Sequence, residues 1–268
     1  MNDQRLVVTW QHPLDRTMSP VAVLAFDGDT YSFDYLESAR AVKDFRPLLE
    51  FPDFARHYSA SELFPVFEDR VLDPQRPDYS RYVRELALDE SASPWEQLAR
   101  SGGASESDTL QLYPFPQWHD GAWSCRFLVN GSRHLMTKTV NVRDAGHGSY
   151  TADELEAIFA RLLPGDRLGV LHEHDNRTSP NALLVLTIDD EPIGWVPDWL
   201  SKELIGHLDD DVFGFTVDRV NPLDAGWHMR VLALLRAALP ADHSFFLGSP
   251  GRLPRHRDTA GHSKVSLE

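Results

Sequence analysis

The sequence predicts an α+β fold in two parts. Residues 1–122 read as a mixed α/β module with a β-hairpin and helices, residues 123–240 as a strand-rich unit, and 241–268 as a flexible tail. Three observations lead there. Asp27-Gly28-Asp29 separates two alternating apolar runs, and glycine supplies the positive φ of a tight hairpin turn. "TADELEAIFARLL" is an amphipathic helix set among strand patterns. "NALLVLTIDDEPIGWVP" is an apolar run, an acidic turn and a second apolar run, which is the pattern of another hairpin.

The elements follow in order. After the first hairpin, "SASELFPVFEDRVL" places Leu63, Phe64, Phe67 and Val71 on one side of a helix, provided Pro65 lies in the first turn. "RPDYSRYVRELAL" spaces Tyr79, Tyr82, Val83 and Leu86 helically. "SPWEQLARSGG" is a short helix with Ser93 as cap, Pro94 at its first position, Glu96 reaching back and Gly102 ending it. The turn-rich stretches 101–108 and 115–123 suit a boundary near residue 122. "WSCRFLVNG" and "DRLGVLHE" read as strands around a helix capped by Thr151, with Leu155, Ile158, Phe159, Leu162 and Leu163 as its buried stripe. A short helix, "DWLSKELIGHL", and two strands, "DVFGFTVDRV" and "GWHMRVLALL", close the second part. Apolar residues on both parities leave helix open for the last of these.

Composition narrows the function. Net charge is −15, with −10 over residues 1–122 and −6 over 123–240, so a wide basic face for non-specific grip on nucleic acid is excluded and any such contact is local. Cys125 is the sole cysteine, which rules out an intrachain disulfide and suggests a reducing compartment. With no signal-peptide pattern and no long apolar run, a cytoplasmic protein without membrane contact is expected. G-x-S-x-G, P-loop and dinucleotide motifs are absent, so no catalytic residue, no cofactor and no enzymatic activity is expected. His172 and His174 stand two apart, but a metal centre needs a further ligand from elsewhere, and none is assigned.

With those elements in place, "VNGSRHL", "LLPGDRLGVLHEHDNRTSPNALLVLTIDDEPIGWVPDWLSKEL" and their order resemble a HIRAN domain over about residues 123–236. The resemblance implies a small β-barrel of six strands carrying two helices. It also implies that the barrel holds single-stranded DNA or a DNA 3′ end, as in relatives attached to remodelling helicases. By position, Arg133 matches that family's arginine and Asn176 its loop asparagine. His134 replaces an aromatic residue of the DNA-binding relatives, Ser179 an acid and Asp198 a base. Residues 20–117 are similar to the N-terminal region of the HipA kinase family, through the Asp-Gly hairpin with "YSFDY", "RPLLEFPD", "LFPVFEDRV", "RPDYSRYVREL" and "LARSGGASESDTLQLYPFP". The kinase core of that family is missing.

The residues that such a barrel would use are Arg133, His134, Asn176, Thr178, Asn181, Gly194 and Trp195. Arg133 suits a phosphate fork, Asn176 and Asn181 suit hydrogen bonds to backbone or base edges, and Trp195 suits stacking with Gly194 leaving room beside it. Asn181 equally suits tying down its own loop, and Trp195 equally suits the core, since alternation leaves its face undecided. The expected function is nucleic-acid recognition. The alternative is a protein-interaction regulator whose residues 1–122 dock onto a separate HipA-type kinase, as in a toxin–antitoxin pair.

Overall fold

The computed structural model describes residues 4–245 apart from 15–16, 87, 104–108, 143–144, 148, 209, 211, 224, 242 and 244. The first part is built on a five-stranded antiparallel sheet. Its elements are β1 (Gln4–Gln11), β2 (Met18–Phe26), β3 (Tyr31–Tyr35), β4 (Tyr58–Ala60), α1 (Pro65–Glu68), α2 (Tyr79–Glu85), α3 (Pro94–Ser101) and β5 (Leu110–Pro114), with strand order β4-β3-β2-β1-β5. The second part follows with β6 (Gln117–His119), β7 (Ala122–Leu128), β8 (Val140–Val142), β9 (Ala145–His147), α4 (Ala152–Phe159), β10 (Arg167–His172), β11 (Leu183–Leu186), β12 (Pro192–Trp195), α5 (Asp198–Leu204), β13 (Phe213–Val220) and β14 (Val231–Ala237). Seven of these strands make one antiparallel sheet, ordered β12-β11-β10-β13-β14-β7-β6, and β8 pairs with β9.

Local chemistry places the elements as the sequence suggests. Asp27 accepts from the amides of Asp29 and Thr30 at 3.0 and 2.9 Å, closing the β2–β3 turn around Gly28. Helices α3 and α4 both begin in capping boxes, Ser93 with Glu96 and Thr151 with Glu154, so two otherwise unpaired amides are satisfied at each start. Pro65 opens α1, but that helix is a single turn, and Leu63 and Phe64 reach the core from outside it. Helix α4 ends at Phe159, which leaves Leu163 63% exposed and out of the expected stripe.

Strands β1, β4, β5, β6, β8 and β9 lie outside the sequence reading. Leu6, Val7 and Val8 of β1 form a continuous apolar run because both faces of the first sheet are covered. Leu6 and Val8 join an aromatic core around Phe33, Phe51, Phe67 and Trp95, whereas Val7 and Val23 join the core of the second part. Phe33 and Phe51 stack at 3.8 Å. Strand β5 crosses back after three helices to pair with β1. Residue 122 falls within the hairpin that joins β6 to β7, so β6 extends the second sheet. The tail expected over 241–268 lies mostly outside the described residues, and Phe245 within it is buried against Trp123 at 5.1 Å.

Strand β14 resolves the ambiguous final run. Val231, Ala233, Leu235 and Ala237 enter the core, while Leu232 and Leu234 point the other way, toward the first part. Seven strands of the second part make one antiparallel sheet, and no closed barrel is found among the described residues. The sheet's edge strand β12 is tied to the end of β7 by one antiparallel pair, Asn130 with Trp195. Gly194, at φ +140°, makes that approach: a Cβ there would lie 2.6 Å from the Asn130 carbonyl oxygen and 2.7 Å from Val129. Gly194→Ala is therefore expected to destabilise the protein by about 3 kcal/mol. Gly214→Ala, with open space and no positive φ, should shift it by less than about 1 kcal/mol. Urea denaturation of both variants checks this, and equal effects would contradict it.

Candidate functional site

The Asn130–Trp195 pair positions the loop that follows. Each residue donates its amide to the other's carbonyl at 2.8 Å. Gly131 then turns the chain at φ +71°, and its bare α-carbon faces the indole, since a Cβ would sit 2.9 Å from Cε3 of Trp195. Residues Ser132–Met136 form one 3₁₀ turn. Ser132 and Leu135 point inward, Ser132 donating to the Ile193 carbonyl at 2.6 Å. Arg133 and His134 consequently point outward and are exposed. Arg133 makes no hydrogen bond or ion pair among the described residues.

Trp195 is half-buried, and its polar edge is committed. Its indole donates to Glu173 at 2.7 Å. The same carboxylate accepts from the Asn176 side-chain amide at 2.6 Å and pairs with the Lys138 ammonium at 2.6 Å. Lys138 also lies over the indole ring, 4.9 Å from its centre. Burial pushes the Glu173 carboxyl upward, but hydrogen bonds from Lys138, Asn176 and Trp195 outweigh it and hold the group below its usual range. Asn176 accepts from the amides of Thr178 and Ser179 at 2.9 and 3.1 Å, so its side chain folds the 176–181 loop as well as orienting Glu173.

A third segment joins from α5. Ser179 donates to the Asp198 carboxylate, which also pairs with Lys202 at 2.8 Å. Two positions that depart from the DNA-binding pattern thus meet each other. The Asp198 charge is balanced by Lys202, which donates in turn to the Met18 carbonyl of the first sheet at 3.0 Å. His172 and His174 lie side by side, rings 3.9 Å apart, with His172 bonded to the Pro180 carbonyl at 2.8 Å. No group of three metal-ligating side chains occurs among the described residues.

The structure brings His134, Asn176 and Trp195 around one polar mouth, with Arg133 exposed on the same turn as His134 and Thr178 exposed on the 176–181 loop, whereas Gly194 is buried and leaves no room for a base. The space beside Gly194 is filled by the Asn130 carbonyl and Val129. Asn181 is half-buried and donates its amide to Ser179 at 3.3 Å. Lys138 and Glu173, the charged pair at the centre, were not singled out in the sequence. An indole with a buried polar edge demands an acceptor, but nothing in the residue pattern says that it comes from Glu173.

No family model matches the chain, and no curated protein matches it. Among solved structures, the HIRAN domain of human HLTF is similar at 14% identity and a TM-score of 0.26, over 42% of this chain and 74% of that one. No helix among the described residues is long and apolar enough to cross a membrane.

A carboxylate held below its usual range contributes stability that is present above its unfolded pKa and lost as pH falls through its folded one. The destabilisation caused by Glu173→Gln should therefore be largest near neutrality and shrink as the medium is acidified below the usual glutamate range. Urea midpoints of wild type and variant across pH measure it. A gap that stays constant would show that the Glu173 charge does not hold the network.

Proposed function

We propose that the mouth formed by residues 131–138, 173–181 and 194–198 binds a single strand of DNA or a DNA 3′ end, without catalysis. The observation that carries this reading is an exposed Arg133, unpaired among the described residues, on the turn that follows the glycine packed against an indole whose face is covered by a second cation, Lys138. Arg133 supplies a fork for phosphate. Lys138, with its side chain 36% exposed, leaves the ring face to an incoming base and turns its ammonium to the backbone. A cation–π contact at such a site is worth about 0.5–1 kcal/mol. Stacking on the freed indole returns about 1–3 kcal/mol per base, so the exchange runs toward the bound strand. Glu173 keeps its bonds from Trp195 and Asn176 when Lys138 departs, which limits the cost of leaving that carboxylate.

The overall charge of −15 confines binding to this mouth, and the few cations there give a shallow salt slope of about one per phosphate contacted. Fluorescence anisotropy with short labelled strands across ionic strength tests the proposal, comparing 3′-hydroxyl with 3′-phosphate ends and single strand with blunt duplex. Arg133→Ala should weaken single-strand binding about tenfold and lower the salt slope by about one. No binding at low ionic strength, or identical binding by Arg133→Ala and Lys138→Gln, would refute it.

A further inference from the structure

A cleft of about 590 Å³ lies where the two parts of the chain meet, and Arg133 is not among the residues that line it. One wall comes from the end of α3 and from β5, the other from the outward faces of β7 and β14. Its floor is apolar. Leu128, Leu232 and Leu234 share one face of the sheet, because Leu232 is in register with Leu128 and Leu234 with Arg126. Cationic groups stand over that floor. Arg126 gives its Nε to Asp218 at 3.0 Å, which leaves its terminal nitrogens for another acceptor. Arg100 is half-buried at the end of α3, with no hydrogen bond or ion pair among the described residues. Ser124 stands in register with Arg236 on the same face and lines the cleft near Arg126.

A half-desolvated guanidinium without a partner is costly, and an anion is what relieves it. Burial and the like charges of Arg126 and Arg219 hold the Arg100 pKa below the ordinary arginine value, outweighing Asp218 and Glu96. In a chain of net charge −15, three arginines against the two carboxylates Asp218 and Glu96 leave a local excess of one positive charge. The volume lies inside the range of about 300–1,000 Å³ typical of small-molecule sites, which favour junctions between parts of a chain. An apolar floor under a cationic wall suits a ligand that is flat at one end and anionic at the other.

We infer that this cleft binds a small phosphate-bearing ligand of mononucleotide size, its planar body lying on Leu232 and Leu234 and its phosphate meeting Arg100 and Arg126. The inference is independent of the DNA reading, since the cationic residues that would hold the ligand differ. Isothermal titration calorimetry of the full chain tests it, using the 5′-monophosphates of the four bases, the matching nucleosides and inorganic phosphate. At least one monophosphate should bind ten times more tightly than its nucleoside or inorganic phosphate. Arg100→Gln should weaken that binding at least tenfold, and Ser124→Trp, which fills the cleft, should abolish it while the urea midpoint confirms folding. Arg133→Ala should leave it unchanged, and Arg100→Gln should leave single-strand binding unchanged. The inference is overturned if no monophosphate binds, if inorganic phosphate binds equally well, if both cleft variants bind as wild type, or if Arg133→Ala removes the signal.

Discussion

Two backbone hydrogen bonds between Asn130 and Trp195 determine where this end of the second sheet sits. An edge strand that ended freely at β12 would present unpaired amides and carbonyls to solvent or to another chain. The pair instead fastens β12 to the segment after β7. Gly194 and Gly131 let the two backbones come close enough, and Ser132 adds a bond to the Ile193 carbonyl. The same fastening turns Arg133 and His134 outward and sets the indole against Gly131, next to His134. Local backbone geometry therefore decides which side chains a ligand can meet.

Electrostatics at the mouth follow from that placement. Glu173 stands where a polyanion would be repelled, yet Lys138, Asn176 and Trp195 all point at it, so its charge is spent internally. Asp198 is likewise balanced by Lys202. Arg133, Arg177 and Asp175 are left as the charges not committed to a described neighbour, a net excess of one cation. A local excess of one cation over paired charges is compatible with the acidity of the whole chain, because potentials from distant charges are screened within about 8–10 Å in physiological salt.

Much of this architecture was legible in the residues, for identifiable reasons. Capping boxes at Ser93 and Thr151, the Asp-Gly turn and the β11–β12 hairpin are local signals, and each appears where its chemistry places it. Pairing of β5 with β1 was not legible, since it joins segments about a hundred residues apart. Strand β14 was blurred because its two faces serve different surfaces, a core on one side and the cleft on the other. At the site, Gly194 before Trp195 signalled a close backbone approach, but not that the Asn130 carbonyl fills the space. Asn176 and Trp195 were visible as candidates. Their shared acceptor, Glu173, was hidden between two histidines that drew attention to metal chemistry instead.

The fastening also stands between the two candidate sites, for Asn130 and Gly131 line the cleft while Arg133, two residues on, is exposed and does not. Amide hydrogen exchange by NMR addresses it most directly. The Asn130 and Trp195 amides should exchange as slowly as those of β11, opening only with the whole second sheet. Exchange of either amide at the rate of an exposed loop would mean that β12 is not held, and the placement of Arg133 and the indole would lose its physical cause.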